Sequence, residues 1–189
     1  VAMCGDVVAS GAYYVSLAAD HIIAHPTTVT GSIGVLIQGI NLHQFSEKIG
    51  IKDVTIKSGK NKDLLNPFRE ISPEQEEILQ GIVNEMHERF VMLVAKQRKI
   101  GESDVRELAD GRIITALEAE KLGLIDQVGY LDDAITTIIT LLDVDEVKVY
   151  RYEEAFSFSH LFRSIQRFNL AEAFLQNMSQ PRLLYRWTL

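Results

Sequence analysis

The sequence predicts an α/β fold built from parallel βα units. Three observations carry this. Short runs rich in β-branched residues, such as His21-Ile22-Ile23-Ala24 and Val54-Thr55-Ile56-Lys57, alternate with segments of helical period. Glycine and proline punctuate the junctions, as in Thr30-Gly31-Ser32-Ile33-Gly34 and Pro26. The chain has 189 residues, 47% of them hydrophobic and 24% charged, which is enough to fill a core and too apolar for a disordered chain.

Residues 1–4 read as a strand leading into a Gly-Asp turn. Ala9-Ser10-Gly11-Ala12 opens a short apolar helix through about Ala19, and His21–Ala24 is a strand closed by Pro26. Residues 30–35 form a glycine-punctuated turn. Leu42 to Ile49 is a short helix stopped by Gly50, Val54–Lys57 a strand, and Ser58–Asp63 the loop after it. The clearest helix spans Ser72 to about Ile100. Ser72 suits the N-cap, Pro73 the first helical position, and Gln75 completes a capping box. Ile78, Ile82, Met86, Phe90 and Val94 share one face, and Gly101 is expected to close the helix as a left-handed residue. Helices follow at Ser103–Ala109, Thr115–Leu122 and Leu131–Leu142, then a strand at Val147–Tyr150. Residues 151–189 read as a helical tail, with Leu161, Ile165, Phe168 and Leu175 on one stripe that packs on the domain or on a neighbouring subunit. The chain opens on Val-Ala-Met-Cys-Gly, the end of a buried strand, so it reads as a piece of a longer protein.

Composition excludes several functions. Nineteen basic against 26 acidic residues give a net charge of −7, which argues against binding to nucleic acid. The single cysteine, Cys4, rules out an internal disulfide framework and a multi-cysteine zinc site. No phosphate-cradling Gly-rich loop is present, and no His-carboxylate spacing suggests a metal. Glu74, Glu76 and Glu77 fall in the first turn of the long helix, where the dipole favours negative charge.

Ser10 is the most informative residue. It stands between small residues at a strand-to-helix turn, where new helical N–H groups converge. It is either a helix cap or a nucleophile whose oxyanion is held by the next N–H. A nucleophile needs a base. None of the five histidines stands in a recognisable triad pattern. Lys57, Lys60 and Lys62 crowd the loop after a strand and are equal candidates by chemistry. A free lysine is neutral in only about 1 molecule in 2,500 at pH 7, and burial can lower its pKa by about 3–5 units.

Gly5–Tyr14, Ala18-Ala19-Asp20, Pro26-Thr27 and Thr30–Val35 resemble the signal peptide peptidase A family, serine proteases of the S49 type. Lys57-Ser58-Gly59 through Lys62-Asp63, Ala109-Asp110-Gly111-Arg112 and Gly123–Asp126 with Gly129 are similar to further family segments, so the resemblance runs to about residue 142. It implies a Clp protease/crotonase-like fold whose N-terminal part precedes this chain, with residues 1–150 the catalytic domain. By motif it makes Ser10 the nucleophile, Lys62 the general base, Ser32 the hydroxyl that orients the lysine, and Gly11 one oxyanion-hole donor. The second donor would come from a glycine before this chain begins. The resemblance further implies a homo-oligomeric ring that hydrolyses cleaved signal peptides and other unfolded apolar segments, with no metal or organic cofactor. The parent protein would be anchored in a bacterial cell membrane, its catalytic domain on the extracytoplasmic side. Two rivals remain at this level: a crotonase-like acyl-CoA hydratase or hydrolase using a carboxylate, and an inactive subunit that serves only as a ring scaffold.

Overall fold

A computed structural model describes residues 1–152 and 182–184. In chain order the elements begin with β1 (Ala2–Cys4), β2 (Val7–Ala9), α1 (Gly11–Ser16), β3 (Ile22–Ala24), β4 (Val29–Gly31), β5 (Leu36–Gln38) and α2 (His43–Lys48). They continue with α3 (Pro73–Arg98), α4 (Glu102–Leu108), β6 (Ile113–Thr115), α5 (Ala116–Lys121), β7 (Gln127–Val128), α6 (Leu131–Leu142) and β8 (Arg182–Leu184). The chain groups into two compact units, one containing Val1–Leu36 and Ile82–Val149, the other Ile37–Gly81.

The first unit is α/β with mostly parallel pairing. One sheet runs β1-β3-β7, with both pairs parallel. A second runs β2-β4-β6; β2 and β4 are parallel, with Ala9 opposite Gly31. β4 and β6 are antiparallel, a departure from the all-parallel expectation: the chain between them, which includes α2, α3 and α4, returns β6 in the opposite direction. Two buried threonines tie the strands together. Thr28 Oγ1 donates to the carbonyls of Cys4 and Gly5, and Thr30 Oγ1 donates to Val8 O at 2.6 Å. Tyr13, Leu17, Ile22, Phe90, Val94, Val105 and Leu124 are fully buried in one cluster, each contributing about 1.5–3 kcal/mol by leaving water.

Helix α3 begins as expected. Ser72 N donates to Gln75 Oε1 and Gln75 N to Ser72 Oγ, the reciprocal capping box. Only its second half is buried: Phe90, Val91, Val94 and Ala95 face the core, while Ile78 and Ile82 are exposed. Its end differs from expectation. Lys99 takes the left-handed conformation, φ 56°, and Gly101, φ −58°, instead starts α4. Near that end the Arg98 guanidinium grips Asp126 through two bonds of 2.9 and 2.7 Å, and donates from Nε to Gly123 O. Asp126 also accepts from Ile22 N at 2.7 Å, so this residue of the Gly-Leu-Ile turn locks helix to sheet.

Among the described residues of the second unit, an ion-pair network centres on Asp53. Asp53 accepts from Arg69 Nε at 2.7 Å, Thr55 Oγ1 and Asn66 Nδ2. Residues 54–57, expected as a strand, form none: Val54 is 85% and Ile56 98% exposed, and among the described residues no strand pairs with them to supply the ladder their β propensity needs. Val147–Tyr150 is likewise not a strand. Leu161, Ile165, Phe168 and Leu175 of the expected tail helix lie outside the described residues. Arg182–Leu184, within the tail read as helical, is instead a strand paired with β5.

Candidate active site

Ser10 sits at the junction of β2 and α1. An ordinary N-cap residue has extended backbone and lends its side-chain oxygen to the first-turn N–H groups. Ser10 does neither. Its φ is 53° and ψ −116°, and its hydroxyl makes no cap hydrogen bond. Those angles belong to the first central residue of a type II′ turn, a place glycine normally takes. A serine held there is strained by about 1–3 kcal/mol. The surroundings enforce it: Ser10 N donates to Gly31 O at 2.8 Å, and Ser10 O accepts from Tyr14 N at 2.9 Å. A sharp strand-to-helix turn of this kind is how an α/β sheet presents a nucleophilic oxygen. Gly11 follows as the first residue of α1, and its N–H, like the others of a first helical turn, has no partner within the helix.

Ser32 is brought beside Ser10 by register, since it follows Gly31, the rung opposite Ala9. It too has left-handed backbone, φ 51°, and its N–H donates to Arg112 O at 2.7 Å. Gly31, φ +80°, is irreplaceable on two counts, because a Cβ there would also meet Arg112 O at 2.9 Å. Gly34 passes so close to Gly111 that a Cβ would lie 3.3 Å from its Cα. The sequence marked Ala109-Asp110-Gly111-Arg112 only as a segment similar to the family's, with no role; the Asp-Gly pair was the turn signal it offered.

Lys62 is carried by the second unit, in the turn Lys60–Leu65, and its side chain is exposed there. The other two lysines are engaged. Lys57 Nζ donates to Asp63 Oδ1 at 2.5 Å and to Lys60 O at 2.9 Å, and Lys60 Nζ pairs with Glu74. The Lys57 ammonium bond holds the Asp63 carboxyl below its ordinary range, and the Lys60 bond does the same to Glu74. Among the described residues Lys62 is in no ion pair.

Three of the four described histidines hydrogen-bond elsewhere. His87 Nε2 lies 2.8 Å from Ala109 O, His43 Nδ1 lies 3.1 Å from Phe68 O, and His25 Nδ1 meets Thr27 Oγ1. His21 Nδ1 lies 4.0 Å from Asp126, a carboxylate already held by Arg98. His160 lies outside the described residues. Tyr13 packs, with its phenol donating to Leu124 O at 2.7 Å and pushed up in pKa by burial. Tyr14 stacks edge-on against Phe90. Burial also raises the Cys4 thiol, making it an inert core residue. Among the described residues no trio of His, Cys, Asp or Glu is placed to hold a metal, and no helix is long and apolar enough to cross a membrane.

Comparison with known proteins is consistent along the chain. The model of Peptidase family S49 matches residues 1–145. A Synechocystis sp. protein provisionally named a protease is 42% identical over 149 residues, 79% of this chain and 54% of its own length. An Enterococcus faecium protein provisionally named signal peptide peptidase SppA is 40% identical over 148 residues, 78% of this chain and 43% of its own. The Arabidopsis thaliana serine protease SPPA, chloroplastic, is 38% identical over 136 residues, 71% of this chain and 20% of its own. The chain thus spans about half the length of the first two.

Proposed function

The chain belongs to peptidase family S49, and on that premise we propose that it is the catalytic portion of a serine endopeptidase working through a Ser–Lys dyad. The observation that carries this is the Ser10 backbone, strained in a place where a capping serine would be relaxed. Ser10 Oγ attacks the scissile carbonyl carbon while the neutral Lys62 amine takes its proton. The new C–O bond leaves an oxyanion on the former carbonyl, stabilised by the Gly11 N–H and a second donor. Collapse breaks the C–N bond, and the lysine ammonium gives its proton to the departing amine. Water then attacks the ester, Lys62 removes its proton, and the acid leaves as Ser10 regains a hydrogen. Ser32 orients the amine through its hydroxyl.

The choice of Lys62 over its neighbours is supported by the ion pairs. An amine committed to neutralising a carboxylate is poorly suited to working uncharged, and Lys57 and Lys60 are so committed. The exposure of Lys62 in the second unit means that desolvation must come from elsewhere. Assembly into a homo-oligomeric ring on a Clp protease/crotonase-like fold supplies it, and the exposed apolar residues Phe45, Ile49 and Ile51 offer surface for such an assembly to cover. Cleaved signal peptides and other unfolded apolar segments are the proposed substrates, and the proposed setting is a parent protein anchored in a bacterial cell membrane with this domain on the extracytoplasmic face.

The test is a variant set in the full-length protein with an unfolded peptide as substrate. Ser10→Ala and Lys62→Ala are expected to abolish turnover with the fold intact, whereas Lys57→Ala and Lys60→Ala retain most of it. Undiminished cleavage by Ser10→Ala refutes the nucleophile. Full activity in Lys62→Ala refutes the base.

A further inference from the structure

We propose that the Asp110-Gly111-Arg112 turn is a positioning element for Ser32, and through it for the base; this rests on the role of Ser32 proposed above. The turn and Ser32 meet at three points. Ser32 N donates to Arg112 O at 2.7 Å, continuing the β4–β6 ladder one rung past the Gly31–Ile113 pair. The same carbonyl lies against Gly31, where a Cβ would stand 2.9 Å from it. Gly34 closes on Gly111 from the other side of Ser32. Ser32 is therefore gripped before, at and after its own position, and this grip holds its left-handed backbone.

The turn is itself rigid for stated reasons. Gly111 takes φ +87°. Asp110 Oδ1 accepts from Arg112 N at 2.9 Å, and the Arg112 guanidinium donates to the same carboxylate from Nε at 2.8 Å and from Nη2 at 2.7 Å. Those bonds draw the Asp110 carboxyl down to about 2. Behind the turn, His87 Nε2 donates to Ala109 O at 2.8 Å, anchoring it to α3. Asp110 and Arg112 are both about half exposed, so their ion pair adds little to stability. The side chains instead fix where the Arg112 carbonyl points, and that carbonyl fixes the backbone from which the Ser32 hydroxyl projects.

The experiment is a double-mutant cycle on kcat/KM in the full-length protein, with pH profiles and melting temperatures. Ser32→Ala alone is expected to lower kcat/KM. Asp110→Ala, which removes every bond across the turn, is expected to lower kcat about tenfold with KM little changed and to move the acidic limb of the profile. Asp110→Asn, which can still accept from Arg112 N, restores most of the rate. In the Ser32→Ala background, Asp110→Ala adds less than about a twofold loss. Gly34→Ala, pressing on the turn from the opposite side, follows the same pattern. Full activity in Ser32→Ala refutes the Ser32 role itself, and this inference with it. A rate loss in Ser32→Ala together with an unchanged Asp110→Ala, or an equal Asp110→Ala loss in both backgrounds, overturns the positioning inference alone.

Discussion

Replacing Ser10 by glycine is expected to make the protein more stable and inactive. The native residue is held at φ 53°, ψ −116°, a conformation that costs an L-residue about 1–3 kcal/mol. Glycine adopts it without strain but brings about 0.5–1 kcal/mol of extra backbone entropy to the unfolded chain. The serine hydroxyl makes no cap bond to α1 that its removal would forfeit. The balance favours Ser10→Gly by about 1 kcal/mol, or about 2–4 °C in melting temperature for a domain of this size. Ser10→Ala keeps the strain and should melt near the native protein. Capping predicts otherwise: if Ser10 were an ordinary N-cap, glycine would cost a few tenths and alanine about 1 kcal/mol, so both would fall below native. Thermal melts of the three proteins, with urea titration as a second measure, decide between the two. A Ser10→Gly protein less stable than native removes the strain on which the nucleophile assignment leans.

Asp126→Asn should cost about 3 kcal/mol near neutral pH, because it leaves the Arg98 guanidinium, only 9% exposed, without its anion. Burial opposes ionisation of Asp126, yet the Arg98 fork and the Ile22 N–H outweigh it and hold the carboxyl below its ordinary range. Its contribution is therefore complete above the unfolded carboxyl pKa of about 4 and is lost as pH falls through the lower folded value, so native and variant stabilities converge in acid; urea titrations at neutral and acid pH that keep a constant gap contradict this. Tyr13→Phe removes the donor to Leu124 O inside the core and should cost about 1–3 kcal/mol, measured by the same titration, with no change in catalytic pH profile. Gly31→Ala combines positive φ with a contact of 2.9 Å to Arg112 O and should destabilise the fold by more than 1 kcal/mol, roughly, as read by thermal melting; a neutral result shows that the β4–β6 rung can move.

Local chemistry was legible and non-local pairing was not. The capping box of α3 lies within four residues, and Ser72 and Gln75 form it as read. Ser10 was legible as a residue at a strand-to-helix turn, but its dihedral angles depend on β4, whose Gly31 carbonyl holds its N–H. Val54–Lys57 had the composition of a strand; composition cannot supply a partner, and the segment forms no strand, with Val54 and Ile56 exposed. The contact of Ser32 with Arg112 spans a chain separation that no periodicity reports. The three lysines of the loop were chemically equal in sequence and told apart there by motif alone; in the structure Asp63 and Glu74 engage Lys57 and Lys60.

The distribution of backbone strain adds an argument independent of the family match. Five non-glycine residues among those described have positive φ: Ser10, Ser32, Leu65, Lys99 and Asp143. Lys99 directly follows α3 and Asp143 caps α6, the places where a left-handed residue ordinarily closes a helix. Ser10, Ser32 and Leu65 end no helix. Each lies on a segment that carries one proposed participant: the nucleophile, the orienting hydroxyl, and the turn Lys60–Leu65 that holds Lys62. Strained positions persist where surrounding structure over-determines them, and they gather at functional sites because a relaxed alternative would misplace the group that acts. If Leu65 follows that rule, Leu65→Gly should relax the turn and stabilise the fold while lowering kcat more than KM. A Leu65→Gly protein with native kcat separates strain in the second unit from catalysis and leaves Lys62 supported by its motif and by its lack of an ion pair among the described residues.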